Sequence, residues 1–416
     1  MPIQTLAQAA ARLSRRIDQL ARVSDERGAT TRTFMSPAMR RANAVVGGWM
    51  RQAGLQVRVD AAGNLVGRRE GPAKAARTLL LGSHLDTVRD AGRFDGVLGV
   101  LLPIAALEFL RDRGVRLPFA VEVLGFSEEE GVRFSSAYLG SKGYVGELKK
   151  ADLALRDAEG ISVGEVLSQA ARGRFSLPAP AHLRRELAGY LEVHIEQGPV
   201  LEARHLAVGV VSAIAGQTRA RVRFVGKAGH AGTTPMALRL DSLAGAAQFI
   251  GAVEALAGAQ APLVATVGRI AVRPGAANVI PAETELSLDV RHPLDAGRLA
   301  ALARIRASGR AIAKARGLSF SLEVIQDNAA VACSGELTSL LERSVRRVQG
   351  RCLSLASGAG HDGVIVSRLT PVAMLFVRCR NGLSHHPEEF VHPRDLAAAL
   401  GVVVDFLGRM AEGGRP

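Results

Sequence analysis

The stretch GSHLDTVRDAGRFDGVLGV, residues 82–100, decides how this chain reads. The apolar run TLLL, reached from Arg77 and ending at Leu81, reads as a short buried strand. It sets His84 and Asp86 at the strand's carboxyl end, where open α/β sheets seat their ligands. Asp95 follows nine residues after Asp86. Between them Gly92 lets the loop fold back, and Gly96 and Gly99 let backbone crowd close to whatever Asp95 holds. A histidine and two aspartates around such a turn are half of a two-metal site. Taken alone, the stretch also fits a capped turn ahead of an apolar helix, Val97 to Leu110.

Composition narrows the classes. With 416 residues, 48% of them hydrophobic, the chain is long enough for two domains and a large core. The N-terminus alternates apolar and basic residues at helical spacing, with no uninterrupted apolar core or small-residue cleavage site, so the expected location is cytoplasmic. The longest apolar run, Gly96 to Leu110, is broken by Pro103 and Glu108 and falls short of the ~20 residues that span a bilayer. Cys333, Cys352 and Cys379 are far apart and in no CxxC pair, which argues against a disulfide framework or a thiolate metal site. The formal charge of +14 would permit nucleic-acid binding, but the 53 basic residues are spread along the chain and aromatics are only 4%. A basic surface can instead help draw in an anionic substrate.

The element pattern predicts a doubly wound, mostly parallel α/β sheet. Strands are expected around Ala62-Gly63-Asn64, at 77–82, at 119–126 (FAVEVLGF) and, after a polar helical stretch, at 190–198 (YLEVHIEQG), with a helix over 97–112. The pattern changes near residue 216. Strand 218–226, helix 241–257, strands 263–272 and 283–291, helix 295–316 and strand 318–325 give the order βαββαβ, a ferredoxin-like unit inserted as a lid. The expected division is therefore 1–215 with 331–416 as one domain and 216–330 as the other. The chain closes with helix 335–349, the turn SGAGHDG, strand VAMLFVR and a helix from about 393.

Chemistry gathers at strand ends. FSEEEGVRF puts Glu128, Glu129 and Glu130 after an apolar strand, a costly place for three carboxylates unless cations compensate them. VHIEQG puts His194 on another strand end, and RNGLSHHPEEF puts His385 and His386 in the loop after the last strand. Each histidine alone would more often be a core or surface residue. Together, at four strand ends on one sheet edge, they point to a metal centre.

GSHLDTV with FDGVLGV, SEEEGVRF, HIEQGPVLE, GHAGTTPM, NVIP, SGAGHD and NGLSHHPEE resemble, in order and over nearly the whole chain, the dinuclear-metal amidohydrolases that act on ureido compounds. These are the allantoate amidohydrolases, N-carbamoyl-L-amino-acid hydrolases and β-ureidopropionases, relatives of the aminoacylase and metallopeptidase clan. The resemblance implies two divalent ions, zinc or manganese, since N/O ligand sets suit both. His84 and His194 would hold one ion, Glu130 and His385 the other, and Asp95 would bridge them. Three neutral imidazoles and two carboxylates leave two divalent ions with a net charge of about +2, which acidifies water and polarises a carbonyl. Asp86 would orient a ligand imidazole, Glu129 matches the general base, and Glu128 carries no assigned role. The choice of His385 over His386 rests on the SH-x-P alignment.

By the same resemblance, His230 in GKAGHAGTTPM stabilises the oxyanion, reaching the site from the lid of a partner subunit in a homodimer. Gln217, Asn278 and Arg291 match substrate-binding positions, and a guanidinium suits bidentate recognition of a carboxylate; a lid salt bridge is the other reading of Arg291. Gly358 would offer backbone groups, with His361 and Asp362 as structural support. The implied reaction is hydrolysis of a terminal carbamoyl C–N bond, releasing ammonia and carbon dioxide. GQTR, HAGTTPM, SGAGHD and MLFVRCRNGLSH favour allantoate as substrate, with N-carbamoyl-L-amino acids or N-carbamoyl-β-alanine as alternatives. A cysteine-nucleophile carbamoylase would need a Cys beside a Glu and a Lys, which none of the three cysteines has. A nucleic-acid-binding role lacks any motif or aromatic platform, and neither a nucleic acid nor a membrane is an expected partner.

Overall fold

The computed structural model describes residues 5–72, 77–170 and 187–413. The polar stretch ahead of the His194 strand lies partly at 171–186, outside the described residues. The chain divides into two compact units, one of Met1–Ser212, Cys333–Leu355 and Gly360–Pro416, the other of Ala213–Ala332 and Ala356–Ala359.

In the first unit, strands Gln56–Val59 (β1), Leu65–Arg69 (β2), Thr78–His84 (β3), Ala120–Phe126 (β4), Leu187–Ile195 (β5) and Val208–Ile214 (β6) join the closing strand Val372–Val377. Their order is β1-β2-β4-β3-β5-closing strand-β6. The four central strands are parallel, and the flanking pairs are antiparallel. β3, β4 and β5 are buried along their whole length, so their continuous apolar runs are those of strands covered on both faces. The mixed α/β class with a largely parallel sheet follows the sequence pattern.

Five helices build the main core with this sheet: Leu6–Ala21, Pro37–Gln52, Val97–Arg111, Gly335–Gln349 and Pro393–Glu412. The first starts at a Thr5–Gln8 capping box and buries Ala9, Leu13, Ile17 and Leu20, the inward stripe of a 3.6-residue repeat. The helix 97–111 has no polar face: Val97 to Leu110 are all buried. Glu108 is tolerated there because Arg12 and Arg16 each meet its carboxylate at 2.9 Å. Pro103 lies inside this helix without breaking it, as the expected helix over 97–112 requires. Packing on every side outweighs the local cost of the missing N–H. Gly99 explains the close seat on the sheet, since a Cβ there would lie 2.2 Å from the Val193 carbonyl oxygen. Among the described residues no helix is long and apolar enough to cross a membrane.

The second unit is an antiparallel sheet with two helices on one face. Gly216–Val225 (β7) lies between Glu283–His292 (β8) and Ser319–Asn328 (β9), and Ile270–Arg273 borders β8. The expected strand 263–272 is two pieces, Val264–Thr266 and Ile270–Arg273, both paired with β8. Helices Ser242–Gly258 and Asp295–Arg316 cover Ala220, Val222, Phe224, Leu286, Leu288 and Val290. Fully burying each large side chain of this set contributes about 1.5–3 kcal/mol. The alternate residues of β7 and β8, among them Gln217, Arg219, Asp289 and Arg291, share the opposite face.

Candidate metal centre and active site

The first unit brings the predicted metal ligands together at the carboxyl ends of its parallel strands. His84 ends β3, His194 lies near the end of β5, and Glu129 and Glu130 follow β4. Asp95 precedes the helix 97–111, and His385 sits in the loop after the closing strand. Gly96 makes the Asp95 turn possible. Its φ of 64° is left-handed, and a Cβ there would strike the His84 ring at 2.4 Å. Donor atoms of His84, Asp95 and His194 lie within 4.8 Å of one another, as do those of Asp95, Glu130 and His385, and those of His84, Glu129 and Glu130. Asp95 thus belongs to two triads, one oxygen 3.1 Å from His194 Nε2 and the other 3.0 Å from His385 Nε2. His385, not His386, aims its Nε2 at the site, 3.5 Å from Glu130 as well, although its side chain is 47% exposed. The His386 side chain is exposed and accepts from the Glu388 N–H.

The donor set fits divalent ions. His84 Nδ1 donates to the Asp86 carbonyl at 3.0 Å and His194 Nδ1 to the Ile195 carbonyl at 2.9 Å, so in the neutral rings both Nε2 atoms carry lone pairs. Those lone pairs face Asp95 oxygen, with His84 Nε2 at 3.9 Å. Acceptors facing acceptors in a buried site call for a positive centre between them, a metal ion or a proton on the imidazole. The titration behaviour agrees. Burial and then the Asp95 carboxylate push Glu130 up to about 7. The Asp95 hydrogen bond pushes His385 up to about 9. Asp95 itself lies well below the carboxylate range, because its hydrogen bonds to His194 and His385 outweigh burial. Imidazole nitrogens and carboxylates suit zinc and manganese alike.

A buried frame holds these side chains. Asp86, 1% exposed, accepts the Glu129 and Glu130 backbone N–H groups at 3.1 Å and lies 3.5 Å from His84 Nδ1. It therefore fixes both the acidic turn and the His84 ring. Burial pushes the Glu129 carboxyl well above its usual range, and Glu130, Asp362 and Asp86 add to the rise against the pull of His84. Burial and Asp86 do the same for Glu128. His361 is 1% exposed and packs edge-on against the His194 ring, centroids 4.5 Å apart, while Asp362 is fully buried.

Two features carried no assignment in the sequence reading. Glu389, 1% exposed, accepts from the Phe94 and Asp95 N–H groups at 2.7 and 3.1 Å and from Ser384 Oγ at 2.9 Å, lashing the Asp95 turn to the His385 loop. Gln197 Nε2 donates to both Asp95 oxygens, at 3.3 and 3.4 Å, and to Ser384 at 3.1 Å. Both residues stand inside quoted motifs, NGLSHHPEE and HIEQG, but a single sequence does not show that Glu389 reaches a turn 295 residues away or Gln197 one 102 residues away. Of the three thiols, burial pushes Cys333 up to about 12 and Cys379 up to about 11, values unsuited to a nucleophile.

The other predicted residues lie in the second unit, in two groups. His230 and Asn278 adjoin at a small two-stranded antiparallel ladder, where Ala231 donates to the Asn278 carbonyl at 2.9 Å, and both are exposed. Gln217 and Arg291 are cross-strand partners on the open face of the sheet. Arg291 meets Asp289 at 2.8 Å and donates through Nη1 to the Gly358 carbonyl at 2.6 Å.

A sheet whose parallel strand ends gather three candidate metal triads, with a buried glutamate among them, is an arrangement suited to a metal-dependent hydrolase. Residues 80–409 match the peptidase family M20/M25/M40, and the chain belongs to it. It is 40% identical to the N-carbamoyl-L-amino acid amidohydrolase of Geobacillus stearothermophilus, over 97% of this chain and 98% of that one. It is 41% identical to the allantoate deiminase of Arabidopsis thaliana, over 94% of this chain and 81% of that one. Among solved structures, the hydantoinase/carbamoylase-family amidase of Burkholderia multivorans superposes with a TM-score of 0.91 at 32% identity, covering 97% of this chain and 98% of that one. The protein is an amidohydrolase, a hydrolase acting on carbon–nitrogen bonds.

Proposed function

We propose that this enzyme hydrolyses the terminal carbamoyl C–N bond of a carboxylate-bearing ureide, allantoate first among them, releasing ammonia and carbon dioxide. The observation that carries the reading is Asp95 shared between two triads, with Glu129 beside them. In this reading the first unit is the catalytic domain and the second a lid through which two chains dimerise. His84 and His194 would hold one divalent ion, Glu130 and His385 the other, with Asp95 common to both. Two such ions, zinc or manganese, would supply Lewis-acid polarisation of the ureido carbonyl and lower the pKa of water.

Glu129 takes the proton from the attacking water and passes it to the leaving nitrogen as the C–N bond breaks, and the carbamic acid so formed falls apart to carbon dioxide and the second nitrogen product. Its raised affinity for protons suits a group that must both accept and return one. Asp86 keeps Glu129 and His84 in place through the contacts above. His230, from the partner's lid, stabilises the oxyanion of the tetrahedral intermediate. Arg291 binds the substrate carboxylate, and Gln217, Asn278 and Gly358 bind its polar arms.

Allantoate is favoured because Gln217 supplies an amide for a second ureido arm, where an apolar residue would suit an amino-acid side chain better. N-carbamoyl-L-amino acids are the second reading, supported by a relative of that name at 40% identity, beside 39% and 41% for allantoate deiminases. Ammonia release by metal-reconstituted enzyme from allantoate, N-carbamoyl-L-amino acids and N-carbamoyl-β-alanine tests the proposal. The highest kcat/KM is expected on allantoate, and no release from any of the three would overturn it.

A further inference from the structure

Asp289 stands two residues before Arg291 on the open face of the second unit's sheet, across from Arg219 and diagonal to Gln217. Its carboxylate gathers four N–H donors. Arg291 Nε meets Oδ1 at 2.8 Å. Oδ2 receives Arg291 Nη2 at 3.0 Å, Gln217 Nε2 at 2.8 Å and Arg219 Nε at 3.1 Å. With Nη1 on the Gly358 carbonyl, three of the five guanidinium donors of Arg291 are committed and two are left. Three of its members, Arg219, Asp289 and Arg291, border a cavity of about 890 Å³ that Ser357 and Gly358 also line, and Gln217 stands behind them, hydrogen-bonded to Asp289.

We propose that Asp289 is the positioning residue that sets substrate selection: it aims the free N–H groups of Arg291 at a carboxylate and turns the Gln217 amide so that its oxygen meets an N–H donor. An amide's two ends are ordinarily interchangeable. Here they are not, because an ionised carboxylate offers only acceptors and therefore takes the NH₂ end of Gln217. Asp289 is held ionised: burial works against it, but Arg291 and then Arg219 keep its pKa below the usual carboxylate value. Gln217 Oε1 is thereby the end left to accept an N–H. The ligand class is an acid with an N–H donor on its second arm, which a second ureido group provides and an apolar amino-acid side chain does not. This inference rests on the reading of Arg291 and Gln217 as substrate-binding residues.

The test compares kcat and KM for allantoate and for N-carbamoyl-L-leucine, which has the carboxylate but no second donor. Asp289→Asn should raise KM for both by about tenfold or more, as loss of a charge-assisted fork does, with kcat within about threefold. It should also shrink the preference for allantoate, because the amide is free to flip. In an Arg291→Ala background the same change should add less than about twofold to KM for the leucine compound, since Asp289 acts there through Arg291. Gln217→Met leaves the Asp289–Arg291 pair intact and should lower the preference for allantoate alone, so the argument stands on a second variant if Asp289→Asn folds poorly. KM values within about twofold of wild type in Asp289→Asn, or a loss confined to kcat, would overturn the inference while leaving ureide hydrolysis in place. A wild type that hydrolyses neither compound would overturn the functional reading, and this inference with it.

Discussion

Replacing Glu389 separates the strength of the frame from the strength of the metal site. Glu389→Ala removes the acceptor of three donors at 2.7, 2.9 and 3.1 Å in a place 1% exposed. The Ser384 hydroxyl can turn to Asp95 Oδ2 at 3.4 Å, but the Phe94 and Asp95 N–H groups are left buried without partners. At ~1–3 kcal/mol for each stranded donor, the expected loss is about 3–4 kcal/mol. Glu389→Gln keeps an oxygen for the two N–H groups, and its NH₂ can donate to a rotated Ser384, so it should cost within about 1 kcal/mol. Urea unfolding of the chelated protein, followed by tryptophan fluorescence, measures the difference. Trp49 is the sole tryptophan and is buried in the first unit, so the signal reports the unit that holds the site. The Ala variant should also bind metal more weakly, because the Asp95 turn and the His385 loop are no longer tied. An Ala variant within about 1 kcal/mol of wild type, or a Gln variant as unstable as Ala, would refute the reasoning.

Glu129→Gln should keep its metal yet lose about 10²–10⁴-fold in kcat, because the amide preserves shape and cannot move a proton; elemental analysis beside turnover checks it. Asp95→Asn should lose metal from both positions together, whereas Glu130→Gln should lose chiefly one, so equal stoichiometries in the two variants would contradict a shared Asp95. Arg291→Ala should raise KM for carboxylate-bearing ureides at unchanged metal content, by an amount equivalent to about 2–5 kcal/mol; equal wild-type kinetics for an acid and its neutral amide would argue against the role. Glu129→Gln and His230→Ala chains, each nearly inactive alone, should regain a sizeable fraction of activity when unfolded, mixed and refolded, if His230 crosses to the partner's site. No recovery in verified mixed dimers would place His230 in its own chain's site or outside the mechanism.

What the sequence made legible was local. His84 and Glu129 could be read because each follows an apolar run that can only be a buried strand, and parallel strands put such ends on one edge. The ferredoxin-like unit was legible because β7, β8 and β9 alternate inward apolar and outward charged residues, and that alternation set the face on which Gln217 and Arg291 stand. What escaped depends on register between distant segments. Glu389 reads as one acid in a polar loop until the chain brings it to Phe94, and Asp289 reads as half of a surface pair until Gln217 is seen beside it. The break between Val264–Thr266 and Ile270–Arg273 lay at Gly268, a residue that was read through.

The central claim is that one Asp95-sharing pair of triads makes this chain a two-ion ureide hydrolase. Stripping the protein with a chelator, returning zinc or manganese in measured increments and recording both bound metal and ammonia release from allantoate tests it most directly. The account predicts no turnover after stripping and activity that rises to a plateau at about two ions per chain, the stoichiometry of a paired site. Turnover that survives complete stripping, or a plateau at a single ion, would contradict it.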